Sequence, residues 1–244
     1  TGGAVLVSAG FDHAGGGGRV KPVRAVLFDR DGVLTKFDLA GASQFFAPLL
    51  PISIFALAAR WQAAGEQQGF PRSAAEEGAF FDRFWSEAPD EFHLYAAQRA
   101  ALAELDYTRY VVSYPEVPSV LEQLRGQGLR LGVLSNFSLA SLDRSLVGAG
   151  LAHYFDAICA APVIGFAKPH PQAYQIALDA LHVGADECLY FDDEEECIIG
   201  AQAVGMRAFL VDRRADADDL LRGVVANLQA VPQLAGDYQR GGHA

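Results

Sequence analysis

The sequence predicts an α/β fold, a mostly parallel sheet covered by helices on both faces and carrying a helical insertion. Three observations predict it. A short apolar run, Ala25 to Phe28, ends abruptly in Asp29-Arg30-Asp31-Gly32, as a buried strand ends in a turn. From Pro115 onward, short apolar runs alternate with segments of helical spacing, the pattern of a parallel sheet with crossover helices. Between these two regions lies a stretch, Thr35 to about Tyr110, whose periodicity reads as helical throughout and which is far longer than an ordinary connection.

Taken in order, residues 1–21 read as a flexible glycine-rich leader, with a little order near Val5 to Val7. Ala25 to Phe28 is the first strand. Side chains alternate along a strand, so Asp29 and Asp31 point to the same side, and two like charges so close call for a cation, a shared proton or hydrogen bonds. Gly32 permits a sharp turn beside them. In the helical stretch, Pro51 suits a first helical turn ahead of Ile54, Leu57, Ala58 and Trp61. Ser73 and Glu76 make a capping-box spacing, and Phe80, Phe81, Phe84 and Trp85 form an aromatic stripe whose plain reading is helix packing and whose sharper reading is a pocket wall. Asp90 caps a third helix carrying Leu94, Ala97, Ala101 and Leu105.

Helices are expected over Val117 to Gln127, Leu139 to Val147, Pro171 to Leu181, Ile198 to Val204 and Asp218 to Leu228. Strands are expected over Leu129 to Leu134, Phe155 to Ala160, Cys188 to Phe191 and Ala208 to Val211. In such sheets the ligand site lies outside the carboxyl ends of the strands. The polar clusters Ser135-Asn136 and Asp192-Asp193 fall at such ends.

Composition narrows the function. The chain has 244 residues, 51% of them hydrophobic, and a formal net charge of −11. An acidic surface argues against nucleic acid and anionic membranes as partners but leaves a small anionic substrate open. No apolar run approaches the roughly 20 residues of a membrane span. The three cysteines form no CxxC pair, which favours a reduced, cytoplasmic setting. Neither heptads nor repeats indicate an oligomeric state.

Four clusters carry the chemistry: Asp29 with Asp31, Ser135-Asn136, Lys168-Pro169 and Asp192-Asp193. Each alone has a plain structural reading, as a turn, a helix cap or a solvated charge. Together on an α/β pattern they offer carboxylates for a hard cation such as Mg²⁺, a lysine and a hydroxyl to orient a phosphoryl group, and a carboxylate placed to be a nucleophile.

In this order the clusters resemble the haloacid dehalogenase-like hydrolase superfamily. Phe28-Asp29-Arg30-Asp31-Gly32-Val33 resembles its D-x-D-G-[TV] motif. Gly132-Val133-Leu134-Ser135-Asn136 resembles its second motif, Ala167-Lys168-Pro169 its third, and Tyr190-Phe191-Asp192-Asp193 with Gly200-Ala201 and Gly205-Met206 its fourth. The resemblance, to the phosphatase and phosphomutase branch typified by phosphoglycolate phosphatases and β-phosphoglucomutases, implies a Rossmann-like core over 22–36 and 114–244. It also implies an α-helical (C1-type) cap over 37–113. Asp29 would attack phosphorus and form an aspartyl-phosphate, and Asp31 would serve as acid and then base. Ser135, Asn136 and Lys168 would hold the phosphate. Mg²⁺ would be bound by Asp29, Asp31 through its backbone carbonyl, and Asp193, with Asp192 nearby as a further ligand.

Three departures accompany this resemblance. Cys197 stands where Asp or Asn is frequent, Asp192 replaces a frequent glycine, and Lys36 stands where an acid is common. Relatives that cleave carbon–halogen bonds generally lack the second acid, so Asp31 favours phosphate chemistry. The expected activity is hydrolysis of a small phosphomonoester, a phosphorylated metabolite. The alternatives are a phosphomutase of the same family and a non-catalytic binding protein that keeps the fold. Arg30 and Lys36 are read either as substrate contacts at the entrance or as solvated rim charges.

Overall fold

The computed structural model describes residues 21–87, 93–103 and 106–240. The leader 1–20, Asp90 and Leu105 lie outside the described residues. The chain opens with β1 (Ala25–Phe28) and β2 (Thr35–Phe37), followed by α1 (Leu39–Phe46), α2 (Ile54–Gln68), α3 (Ala74–Glu87) and α4 (Ala96–Ala103). After β3 (Val111–Ser113) come α5 (Val117–Gly126), β4 (Arg130–Ser135), α6 (Leu142–Gly148), β5 (Ala157–Ala160), α7 (Ala161–Ile164) and α8 (Pro171–Leu181). The chain continues through β6 (Cys188–Asp192), α9 (Glu195–Ala203), β7 (Arg207–Val211), β8 (Val224–Val225) and α10 (Val231–Gln239).

Six strands form one parallel sheet in the order β5-β4-β1-β6-β7-β8. This is the α/β architecture that the alternating pattern predicts. The buried strands have two different faces because their side chains alternate. Val26 and Phe28 join Leu189 and Phe191 on one face, under α5, α6 and α10; Ala25 and Leu27 join Cys188 and Tyr190 on the other, under α8 and α9. β1 lies between β4 and β6, with Phe28 level with both Val133 and Phe191. The chain builds β4 and β5 to one side of β1 and then crosses to build β6, β7 and β8 on the other, so the crevice at the strand ends opens beside β1.

Three expectations are corrected. The stretch from Thr35 to Tyr110 is not helical throughout: β2 pairs antiparallel with β3, just beyond the stretch, and the resulting ribbon is the stem from which the helices project. Pro51 precedes its helix rather than entering the first turn, because Ser53 is the cap and its Oγ accepts the Ala56 N–H. Asp218 to Leu228 is not a helix. Leu220–Arg222 makes one tight turn, Gly223 takes a left-handed φ of 69°, and Val224–Val225 adds a strand beside β7. The last helix is α10, which begins after that strand.

The helices between β2 and β3 carry their own apolar cluster, built on Phe46, Leu57, Leu94 and Leu102. Ser73 caps α3 by accepting the Glu76 N–H, while Glu76 accepts the N–H of Arg72 rather than that of Ser73. The aromatic stripe packs edge to face: Trp61 meets Phe81 at 5.3 Å and Phe84 at 6.1 Å between ring centres. Among the described residues, no helix is long and apolar enough to cross a membrane.

Candidate active site

Asp29 is the first residue beyond β1, and its N–H donates to Phe191 O at 2.8 Å, so the sheet hydrogen bonding carries straight into the site. Ser135 ends β4 and Asp192 ends β6. Lys168 comes from the loop before α8, and its Nζ donates to Asp29 Oδ1 at 2.6 Å and to Asp192 Oδ2 at 2.7 Å. All three partners are buried. Burial alone would lower the lysine pKa, but the two carboxylates outweigh it and hold the ammonium charged. Burial pushes the Asp29 carboxyl up, Lys168 pulls it back in part, and the charge of Asp192 adds to the rise.

Two further side chains hold this arrangement. Asn136 lines the cleft where the phosphate is expected, and its amide also grips the Lys168 backbone at both ends. Its Oδ1 accepts the Lys168 N–H at 2.7 Å, and its Nδ2 donates to Lys168 O at 2.9 Å. Tyr190, to which the motifs give no role, lies two residues before Asp192 on the same face of β6, and its hydroxyl donates to Asp192 Oδ2. Period-two alternation alone would have revealed Tyr190. The other oxygen of Asp192 accepts the Glu194 N–H at 2.9 Å. Asp192 is therefore an anchor set behind the site.

Asp31 turns away from Asp29's lysine. Its Oδ2 pairs with Arg30, and its side chain is 53% exposed, against 3% for Arg30. Both readings of Arg30 are thereby corrected. It is neither an entrance contact nor a solvated rim charge: its Nη1 donates to Ser145 Oγ in α6 at 2.9 Å, and its guanidinium stacks 3.9 Å from the centre of the Phe137 ring. Lys36 is exposed, with its Nζ 5.7 Å from the centre of the Tyr114 ring.

The turn after Asp31 is fixed from below. Arg213 donates from Nε to Gly32 O at 3.1 Å and also donates to Val33 O and Glu116. Gly32 has φ 75°, and a Cβ there would lie 2.1 Å from Asp193 Oδ2. Glycine is thus required both by the backbone and by the space that Asp193 occupies.

Asp29, Asp192 and Asp193 each bring a carboxylate oxygen within 4.8 Å of the others. Desolvation first, and the charge of Asp192 second, raise the Asp193 carboxyl from 3.8 to about 6. An all-oxygen anionic set under mutual repulsion fits a hard divalent cation. Asp192, Glu194 and Cys197 form a second acidic group, but burial pushes the Cys197 thiol well up and its Sγ donates to Glu194 Oε2 at 3.2 Å, so it is a poor ligand.

Asp29, Asp31, Ser135, Asn136, Lys168 and Asp193 all line one cleft of about 680 Å³; Asp192 does not reach it. From the helical insertion, Gln62, Phe70 and Arg72 line the same cleft. Their sequence context carried no signal beyond helix and loop.

The comparisons agree with this geometry. A model of haloacid dehalogenase-like hydrolases matches residues 23–205. The chain is 36% identical over 215 residues to "Phosphatase MT3486" of Mycobacterium tuberculosis, covering 86% of this chain and 95% of that protein. It is 35% identical over 182 residues to a phosphoserine phosphatase of Thermus thermophilus, covering 71% of this chain and 72% of that one. The crystal structure of a 2-haloacid dehalogenase from Pseudomonas syringae pv. Tomato DC3000 superposes with a TM-score of 0.63 at 24% identity, covering 88% of this chain and 99% of the other, a likeness of fold.

Proposed function

The chain belongs to the haloacid dehalogenase-like hydrolase family and is a hydrolase of phosphatase type; we propose that it is a Mg²⁺-dependent phosphatase of a small phosphomonoester, working through an aspartyl-phosphate. The observation that carries this reading is the Lys168 bridge between Asp29 and Asp192 at the floor of a cleft with Ser135 and Asp31 on its walls.

In the first half-reaction an Asp29 oxygen bonds to phosphorus and the bond from phosphorus to the alcohol oxygen breaks. Asp31 gives that oxygen its proton. In the second, water attacks the phosphorus, Asp31 takes the proton from the water, and the bond to Asp29 breaks to release inorganic phosphate. Ser135 donates its hydroxyl to a phosphoryl oxygen, and Lys168 offsets charge on Asp29 and the phosphoryl group. A departing alkoxide needs a proton and a departing halide does not, so Asp31 in the cleft favours phosphate esters over haloacids. Asp29, Asp193 and the Asp31 carbonyl would hold Mg²⁺, with Asp192 beside them. When bound, the ion would neutralise charge on the phosphoryl oxygens. The helical insertion over 37–113 acts as a cap that carries leaving-group contacts, and the substrate is a phosphorylated metabolite of the cytoplasm.

Purified protein with Mg²⁺ is expected to release phosphate from a broad monoester panel. Asp29→Asn is expected to lower turnover by roughly 10³-fold or more with the fold intact. Near-normal turnover by that variant would reject Asp29 as nucleophile. Isomerisation of a sugar phosphate without phosphate release would instead indicate the phosphomutase.

A further inference from the structure

We propose that the alcohol portion of the substrate is apolar, a hydrocarbon chain or ring seated in a second chamber that adjoins the catalytic cleft beside Asp31. This rests on the phosphatase reading and goes beyond it by naming the class of leaving group. The second cavity is about 370 Å³ and lies between the helical insertion and the core. Asp31, Gln62, Phe70, Phe137 and Ser138 line both spaces, so the two adjoin at these residues. The shared wall includes Asp31, the proposed donor of the proton to the leaving oxygen, so that oxygen would sit at the junction with the rest of the alcohol inside the chamber.

The two spaces differ in chemistry. The cleft is walled by Asp29, Arg72, Lys168, Asp193 and Glu194. The chamber is walled by aromatic and aliphatic side chains, among them Phe46, Ile54, Trp61, Phe80 and Leu139. Among the described residues, the charged groups on its wall are Arg30 and Asp31 alone, and these are paired with each other. The neutral polar groups on the wall are few: Gln62, Ser138, the Tyr107 hydroxyl already shared with Ser141, and the Trp61 indole N–H. A sugar or a nucleoside would therefore leave most of its hydroxyls and ring nitrogens unpaired against carbon. A hydrocarbon gains by leaving water there. The outer end is apolar too: Phe37, Leu39 and Phe55 line the chamber and are themselves exposed, Phe55 by 68%. Large exposed apolar side chains gathered at one opening mark a place where an apolar group meets the protein.

The test is a series of straight-chain alkyl monophosphates from ethyl to octyl, assayed with Mg²⁺ beside glycerol phosphate and a hexose phosphate. Alkyl alcohols in this series have similar acidity, so the gradient reads burial and not leaving-group strength. The expected kcat/KM rises about threefold to fourfold per added methylene, the fold-change equivalent of transferring one CH₂ out of water, and hexyl phosphate exceeds both polar esters. Ala58, which lines the chamber, tests the location: Ala58→Phe is expected to flatten the hexyl-to-ethyl ratio, and an unaltered ratio would place the alkyl chain elsewhere. A flat or falling profile, or a preference for the polar esters, overturns the apolar chamber while leaving the phosphatase intact. Absence of phosphate release from every ester removes the phosphatase reading itself.

Discussion

The sheet end and the helical insertion handle polar atoms in opposite ways. At the sheet end nearly every charge is spoken for: Lys168 by two carboxylates, Asp192 by a lysine, a tyrosine and a backbone N–H, and the Lys168 backbone by Asn136. The insertion is held by aromatic edges and a modest apolar cluster, and one of its cations, Arg72, has no ion pair among the described residues while lining the cleft. A saturated, buried network keeps reacting groups fixed. A surface of rings and an uncommitted arginine can adapt to different alcohols. The contrast assigns the reaction to the core and the choice of leaving group to the insertion.

The largest expected effect comes from breaking the core network. Lys168→Met leaves Asp29 and Asp192 facing each other, buried, without their cation. Removing one partner of a buried pair costs about 3–5 kcal/mol, and activity should fall by roughly 10³-fold or more. Urea unfolding measures the first quantity. Mg²⁺ should restore part of the lost stability, because a second cation can offset the same carboxylates. Equal loss with and without Mg²⁺ would argue that the ion does not bind here.

Gly32→Ala comes next. Its Cβ would displace Asp193, and its backbone would be held at φ 75°. A loss of about 1–2 kcal/mol is expected from the left-handed backbone, with a larger effect on the Mg²⁺ concentration needed for half-maximal activity. An unchanged Mg²⁺ requirement would separate Asp193 from the metal.

How much of this contrast the sequence discloses follows the same division. The core was legible because its signals are local: Ala25 to Phe28 and Pro171 to Leu181 match their elements end to end, and three of the four polar clusters sit directly at strand ends. The ribbon β2–β3 was not legible, because it joins two three-residue strands far apart in the chain and neither is long enough to show a period. The segment after Asp218 misled because its acids and leucines favour a helix, whereas Gly223 and the free edge of β7 decide for a strand. The burial of Arg30 depends on Ser145 and Phe137, which no spacing rule brings to it. The apolar chamber needs α1, α2, α3 and the loop after β4 to meet, through Phe46, Ile54, Phe80 and Phe137.

A more local effect is expected where the two regions are joined. Glu77 of α3 is buried and accepts the Ser141 N–H at 2.8 Å and the Ser141 hydroxyl at 2.6 Å, and Tyr107 shares that hydroxyl. Glu77→Gln keeps one acceptor oxygen and replaces the other with a donor. It should loosen α3 by about 2 kcal/mol, the scale of a hydrogen bond to a charged group. Hydrogen exchange of the α3 amides is expected to quicken while that of β1 stays slow. Equal acceleration in both would show that insertion and core open together, and the contrast between them would lose its physical basis.

The last effect is a pH dependence whose sign differs between the two ends of the sheet. At the end away from the cleft, burial opposes ionisation of Asp156, but hydrogen bonds from Arg125 and from the Leu131 N–H outweigh it and hold the carboxyl below 3.8. The folded state keeps this proton off more readily than the unfolded chain, so the contribution is present above pH 3.8 and is lost as pH falls through the lower folded value. Asp193 behaves in reverse. Its carboxyl is raised from 3.8 to about 6, so the folded state holds the proton more tightly, and without Mg²⁺ stability should decline as pH rises from about 4 to about 6. Asp29, raised to about 7, declines in the same direction, so Asp193→Asn should lessen the decline and leave the share of Asp29, whereas saturating Mg²⁺ should offset both, because a bound cation favours the ionised carboxylates. An undiminished decline in both conditions would trace to another group. A decline lessened by the variant but not by Mg²⁺ would trace the raised Asp193 carboxyl to a cause other than a metal site.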